Sequence, residues 1–204
     1  EGCSSLQSII FEDQSSLVSI EQNAFSNCTS LISMIIPSTV VTINESCFYE
    51  CSSLNEVKIG SSVAEIQSNA FNKCKSLEKI NFDAPFHIKK IDYTLFGDCS
   101  SLKEITIPSS VREIESYSFE RCTSLTKIII PSSVTTIKSY VFDGCSSLLE
   151  INIPSSVTKI GEYVFRKCSS LQNVSISSSL KEIGYSEFIE CSSLKKITIP
   201  SSIT

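Results

Sequence analysis

The stretch FERCTSLTKIIIPSSVTTIKSYVFDGCSSLLEINIPSS, residues 119–156, contains nearly the same segment twice. FERCTSL returns as FDGCSSL 23 residues later, and IIIPSSV returns as INIPSSV. The pattern F-x-x-C-x-S-L continues in both directions along the chain, with its cysteine at Cys3, Cys28, Cys51, Cys74, Cys99, Cys122, Cys145, Cys168 and Cys191. The period is therefore 23 residues, extended to 25 in two places. A fixed period of this length indicates a solenoid of stacked coils.

Every repeat carries apolar residues six and eight positions after its cysteine, as Ile128 and Ile130 follow Cys122. This alternation is typical of a strand with one buried face. A single repeat is too short to bury that face alone, so neighbouring coils must stack and share a core. The sequence thus predicts a parallel, in-register sheet with one strand per coil, ended in most coils by a proline such as Pro131. The rest of each repeat has room for about one helical or 3₁₀ turn.

A column of charges supports this register. The position before the first apolar strand residue alternates in sign through Glu56, Lys79, Glu104, Lys127 and Glu150. Equivalent residues of stacked parallel strands lie about 4.8 Å apart, and opposite charges at that distance attract. We expect these side chains to form solvated ladders that fix the register.

The repeat L-x-x-I-x-I-P-x-S-V-x-x-I-x-x-x-x-F-x-x-C-x-S resembles the BspA-like leucine-rich repeat over essentially the whole chain. The resemblance implies an α/β-type solenoid, mainly β and loop, wound as a right-handed leucine-rich-repeat superhelix with one parallel sheet on its concave face. We expect a single array over residues 1–204, with eight full repeats over 3–190, a partial C-terminal repeat and an origin in a longer protein. Uncapped ends would favour end-to-end self-association.

Composition argues against several classes of function. The formal charge of −5 and the lack of a basic run oppose nucleic-acid binding. Apolar stretches are no longer than a strand, so membrane attachment would need regions absent from this chain. His87 is the sole histidine and no C-x-x-C pair occurs, so we expect no metal, no cofactor and no catalysis.

Ten cysteines raise the question of disulfides. Nine of them share one column, so each would face identical neighbours above and below, and no unique pairing is specified. Cys47 replaces the small residue found as Ala24 and Ala70 in other repeats. We interpret the cysteines as free, buried thiols that act as small hydrophobic residues.

One departure from the repeat is a column of tyrosines. Tyr117, Tyr140 and Tyr163 lie two residues before Phe in three successive coils. Their rings would form one amphipathic strip, and tyrosine is enriched where proteins contact each other. The alternative is that the rings only cover the core.

Two further departures are candidates for protein binding. Ile10 and Ile35 place apolar side chains on the outward face of the sheet, either as a contact site or as residues that merely favour strands. A two-residue insertion in DAPFH, residues 83–87, would put Phe86 and His87 at a loop tip. Insertions of this kind are binding loops in many solenoids, although tolerated loop variation explains the insertion equally simply.

The resemblance implies a cell-surface or secreted module that binds a protein ligand and mediates adhesion to host proteins, matrix proteins or cells. Two alternatives remain open. Reduced thiols suit an intracellular scaffold, and a regular array without a ligand suits a structural spacer.

Overall fold

The computed structural model describes residues 2–12, 15–176, 179–180 and 186–199. The expected array limits at residues 1 and 204 lie outside these ranges. The strands are β1 (Ser19–Ile20), β2 (Ser33–Ile36), β3 (Thr42–Ile43), β4 (Glu56–Ile59), β5 (Glu65–Ile66), β6 (Lys79–Phe82), β7 (Lys90–Ile91), β8 (Glu104–Thr106), β9 (Glu113–Ile114), β10 (Lys127–Ile129), β11 (Thr136–Ile137), β12 (Glu150–Ile153), β13 (Lys159–Ile160), β14 (Asn173–Ile176) and β15 (Lys196–Thr198).

The even-numbered strands and β15 follow one another as the predicted parallel strands, called here the main sheet, in three hydrogen-bonded segments: β2–β4–β6, β8–β10 and β12–β14–β15. Its register confirms the sequence prediction, since Lys79 pairs with Glu56 and Lys127 with Glu104 in neighbouring strands. The Lys79 ammonium lies 3.5 Å from the Glu56 carboxylate. In β2, β4, β12 and β14 the inward residues are buried and the outward residues are exposed, as the alternation predicted.

The expectation of one sheet is wrong, because the odd-numbered strands form a second set of parallel pairs, called here the second ladder, in two segments: β1–β3–β5 and β7–β9–β11–β13. The V-x-x-I segment after each proline turn builds it, for example where Ile114 pairs with Ile91 on one side and Ile137 on the other. Each of these strands has only two residues. A segment this short contains too little alternation for its sequence alone to indicate a strand.

The α/β class and the helical turn are also corrected, because no described residue is helical. The third side of each coil is instead a run of overlapping turns, and its alternate N–H groups donate to the next coil. In one coil Tyr117 N–H donates to Ser139 O (3.2 Å), Phe119 N–H to Val141 O (3.1 Å) and Arg121 N–H to Asp143 O (2.7 Å). Positive φ angles at Tyr117 (60°) and Arg121 (54°) let the chain turn in this way. Hydrogen bonds between coils therefore run along all three sides.

The core consists of columns of identical residues. Six successive phenylalanines are buried and stack with centroids 5.4–5.9 Å apart: Phe48, Phe71, Phe96, Phe119, Phe142 and Phe165. The ring contacts supply packing energy beyond the buried area itself. This stack joins every coil to its neighbours.

The cysteine column lies beside the phenylalanines, and its thiols are free as predicted. Each thiol in the middle of the array donates to a phenylalanine carbonyl of the preceding coil, as Cys122 Sγ does to Phe96 O at 3.2 Å. Burial raises the pKa of these thiols well above the usual value, so they stay protonated. The expectation that all nine are buried is wrong at the two ends of the column, because Cys3 is exposed and Cys191 is half-buried.

Candidate protein-binding surfaces

Tyr117, Tyr140 and Tyr163, named the tyrosine strip, form a continuous stack on the turn side of the array. Tyr117 and Tyr140 have centroids 4.8 Å apart with planes at 4°, and Tyr140 and Tyr163 are 4.9 Å apart at 10°. All three side chains are half-buried. The structure therefore brings together the three rings that the sequence placed in one column.

Tyr93 extends the strip by a fourth ring, which sequence reasoning missed. Its ring meets Tyr117 edge-on, with centroids 5.6 Å apart and planes at 71°, and the residue is 46% exposed. Tyr93 stands one position earlier in its repeat than the other three, since Thr94 occupies the strip's column there. A search by column alone could not find it, because only side-chain direction brings the rings together.

The tyrosines of the strip occupy an unusual backbone conformation. Their φ angles are 60°, 61° and 58°, in the left-handed region. That region costs most L-residues about 1–2 kcal/mol, whereas asparagine enters it more readily. Asparagine holds the same column at Asn23 and Asn69, also with positive φ. Tyrosine therefore destabilises the turn itself, and stacking of the rings offsets part of that destabilisation.

Charged groups border the strip. The Arg166 guanidinium lies 5.8 Å from the Tyr140 centroid and donates to Asp143 at 3.1 Å. Burial raises the pKa of Glu120 above its ordinary value. The pKa of Tyr117 is raised first by burial and then by its neighbour Tyr140. The strip is therefore an apolar surface that carries phenolic hydroxyls and is flanked by both signs of charge.

Ile35 lies on the outward face of β2, and Ile10 lies in the preceding coil, in a segment that is not a strand. Gln7 O accepts the Ile32 N–H at 3.2 Å, which fixes the first two coils in register. Ile10 is 86% exposed and Ile35 is 67% exposed. An open groove of about 540 Å³ runs beside them and is lined also by Phe11 and Glu12.

The DAPFH loop joins the main sheet to the second ladder. His87 is exposed there, but Phe86 is half-buried and the exposed bend consists of Ala84 and Pro85. The prediction of an aromatic side chain at the loop tip is therefore wrong for Phe86. The loop, the tyrosine strip and the isoleucine pair occupy different parts of the array and form no common site.

The described residues contain neither a metal-binding cluster nor a membrane span. Within those ranges, no group of three His, Cys, Asp or Glu side chains could hold a metal ion. Over the same part of the chain, no helix has the length and apolarity needed to cross a membrane.

The repeat pattern described as "BspA type Leucine rich repeat region" matches the chain in six copies, over residues 1–102 and 89–204. The chain belongs to this family. Among curated proteins, none matches it in sequence. The predicted family and its 23-residue period are thus confirmed.

Solved structures resemble this BspA-type array. A leucine-rich repeat protein of T. pallidum, TpLRR, has 27% identity and a TM-score of 0.59, covering 81% of this chain and 70% of that one. A leucine-rich cell surface protein from Faecalibacterium prausnitzii A2-165 has 23% identity and a TM-score of 0.57, covering 96% and 73%. The pneumococcal vaccine antigen PcpA has 18% identity and a TM-score of 0.60, covering 92% and 64%. These likenesses support the leucine-rich-repeat fold.

In chemical terms, the BspA-type array offers a repetitive surface held by backbone hydrogen bonds and ring stacking. Its nucleophilic thiols in the core are buried and protonated. Its exposed aromatic and aliphatic side chains are fixed on ordered coils. Such a surface suits binding, because contact residues held in place lose little conformational freedom when a partner docks.

Proposed function

We propose that this BspA-type array is a non-catalytic protein-binding module, displayed on a cell or secreted, that mediates adhesion to host proteins, extracellular-matrix proteins or cells. The names of two structural neighbours, a cell surface protein and a vaccine antigen, support the location. The proposal includes a right-handed superhelix with the main sheet on its concave side, as in the family that the chain joins.

The tyrosine strip is the observation that carries the binding role. Three adjacent coils place tyrosine at a left-handed position that asparagine, serine or threonine occupies in the other coils. The left-handed turn belongs to the repeat, and the large ring at this position is particular to these three coils. Tyrosine is also the residue type that supplies large, stiff contact area with a polar end. The strip therefore fits a protein contact better than a simple cover for the core.

The non-catalytic part rests on the placement of reactive groups. His87 stands exposed in the DAPFH loop, away from the buried thiols. A nucleophile needs a base within hydrogen-bond reach. Neither group has this arrangement, which supports binding over catalysis.

Binding to immobilised fibronectin, fibrinogen and intact epithelial cells tests the proposal. The informative variant changes Tyr117, Tyr140 and Tyr163 to Asn, because asparagine tolerates the left-handed backbone. A matched control changes Thr126, Leu149 and Gln172 to Ser, which alters the positions just before strands β10, β12 and β14. Saturable binding that the asparagine variant weakens and the control retains would support adhesion through the strip.

Other results would point elsewhere. Binding unchanged in the asparagine variant would move the contact to Ile10, Ile35 or His87. Absence of binding to all three targets would contradict adhesion and leave the two alternatives, an intracellular scaffold and a structural spacer. The eight buried free thiols favour the scaffold between these two, and recovery of the native protein in a cytosolic fraction would support it.

A further inference from the structure

Charge is distributed very unevenly along the array. Residues 1–57 contain seven acidic residues and no lysine, arginine or histidine, which gives a formal charge of −7. Residues 58–204 contain 15 acidic and 17 basic residues, which gives +2. The first two coils and the start of the third therefore form an anionic region, and the remainder is nearly balanced.

Part of this anionic charge stays unpaired on the folded surface. Lys73 lies 2.8 Å from Glu50, and Lys79 lies 3.5 Å from Glu56, so later coils neutralise these two carboxylates. Glu12, Glu21 and Glu45 are exposed, and no ion pair joins them to a basic residue in the described ranges. Unpaired charges of one sign attract partners of the opposite sign and repel others.

The same region carries an unusual share of exposed apolar side chains. Five of the ten large exposed hydrophobic residues in the described part of the chain lie in the first two coils: Ile10, Val18, Ile32, Ile35 and Val41. Ile10, Ile35 and Glu12 line one open groove. Apolar contact area and an unpaired carboxylate thus adjoin each other at a single place on the surface.

We propose that this groove docks a cationic segment of another protein, in which apolar side chains cover Ile10 and Ile35 while a lysine or arginine pairs with Glu12. The inference rests on the proposed protein-binding function and adds the chemistry of the partner. Charge complementarity selects the basic residues, and the exposed isoleucines select apolar neighbours for them. The docking surface comprises the outward face of β2 and the adjoining segment of the first coil, apart from the tyrosine strip.

A fluorescent short peptide that alternates lysine and leucine provides the probe. Changing Ile10 and Ile35 to Thr should weaken its binding on the order of tenfold, as expected when buried apolar contacts are lost. Threonine occupies the same column at Thr106 and Thr198, so the fold should tolerate it. The matched control is Ile129→Thr, because Ile129 lies in that column, is 61% exposed and adjoins Lys127. This control should bind the peptide as the wild type does.

Charge is tested separately. Glu12→Gln should weaken binding of the lysine–leucine peptide a few-fold, and high salt should do the same, because both reduce the same attraction. An exposed carboxylate elsewhere, Glu162, provides the control Glu162→Gln. A glutamate–leucine peptide should not bind.

Three outcomes would overturn the inference. The first is that the Ile129 variant and the Ile10/Ile35 variant lose the same amount of affinity for the lysine–leucine peptide. The second is that the glutamate–leucine peptide binds as tightly as the lysine–leucine peptide, and the third is sedimentation showing that the isoleucine groove mediates self-association only. The Tyr→Asn variant separates this inference from the proposed function. If that variant loses matrix binding but still binds the peptide, both the adhesion function and the docking groove are supported. If the protein binds the peptide but binds no matrix protein or cell, only the docking groove is supported.

Discussion

Cysteine fits its column for two reasons that act on the same side chain. The slot between coils admits only a small residue, and the thiol also donates to a carbonyl of the preceding coil, as Cys122 does to Phe96 and Cys145 to Phe119. Alanine would fill part of this volume but could not donate. The phenylalanine carbonyl also accepts a backbone N–H of its own coil, so the thiol adds a second, weaker bond.

Thiol reactivity follows directly from this arrangement. A thiol reagent should label Cys3 at once, because it is exposed, and should reach the eight buried cysteines only after denaturation. Cys191 is half-buried, and burial raises the pKa of its thiol to about 11, so its reaction should be slow at neutral pH. Spectroscopic counting of released thiolate checks the order, and Cys3→Ser should abolish the fast phase. Rapid labelling of all ten thiols in the native protein would contradict the buried column.

Glu187 is a buried carboxyl in a column that holds Ala70, Val141 and Val164 in other coils. It accepts the Val164 N–H at 3.1 Å, and burial raises its pKa from 4.5 to about 7. The unfolded chain ionises first as pH rises, so this group should lower stability between about pH 4.5 and pH 7.

Glu187→Gln should remove that pH dependence, which we expect to be on the order of 3 kcal/mol. Urea unfolding at a series of pH values measures it, with Glu21→Gln as an exposed control at the other end of the array that leaves the pH dependence unchanged. If the free energy of unfolding changes with pH equally in the wild type and in Glu187→Gln, Glu187 does not titrate in this pH window.

At the scale of the element, the main sheet is held in register by both backbone and charge. Lys79 stands between Glu56 and Glu104 in the charge column. The Lys58–Asp83 and Lys103–Glu78 pairs, at 3.4 Å and 3.1 Å, add bonds between coils on the same face. Each pair is exposed, so its individual contribution is small, but the alternation makes any register slip unfavourable.

Lys79→Glu should therefore destabilise the array by about 0.5–1 kcal/mol, because a second carboxylate would then face Glu56 where the ammonium now pairs with it. Denaturant unfolding at low and high salt measures the effect, which should shrink in high salt. Lys79→Gln removes the attraction without adding repulsion and should cost less. If Lys79→Glu and Lys79→Gln lose the same amount of stability, side-chain packing rather than charge is responsible for the contribution of Lys79.

At the scale of the whole molecule, each coil contacts only its neighbours, so stability depends on the interfaces between coils. Phe119 lies between Phe96 and Phe142 with centroids 5.5 Å and 5.7 Å away. Truncation of the Phe119 side chain weakens two interfaces near the middle of the array. Truncation of Phe25, which is only half-buried, removes less packing from the core.

Phe119→Ala should lower the free energy of unfolding by about 3–5 kcal/mol, because it opens a cavity in the phenylalanine stack. Hydrogen exchange should show lost protection around residues 96–142 before the rest of the chain opens. Phe25→Ala should cost less. Uniform loss of protection along the whole array would contradict independent coil interfaces.

The repeat pattern alone was enough to predict much of this protein. The Ile128 and Ile130 columns predicted parallel strands, the Glu56–Lys79–Glu104 column predicted their register, and the cysteine column predicted free thiols. These predictions succeed because a short period repeated many times averages out local ambiguity, and each inward column must satisfy the same packing condition in every coil.

Only the tertiary structure determined the remaining features. The two-residue strands of the second ladder are too short to show a pattern, and their bonds are made between coils rather than within them. Tyr93 joins the strip through the direction of its side chain, which no column records. The groove beside Ile10 and Glu12 depends on which coils adjoin and which carboxylates find a lysine. In this protein the sequence therefore determined what repeats along the chain, while contacts between coils determined the turns, the strip and the exposed surfaces, because these arise only when the coils stack.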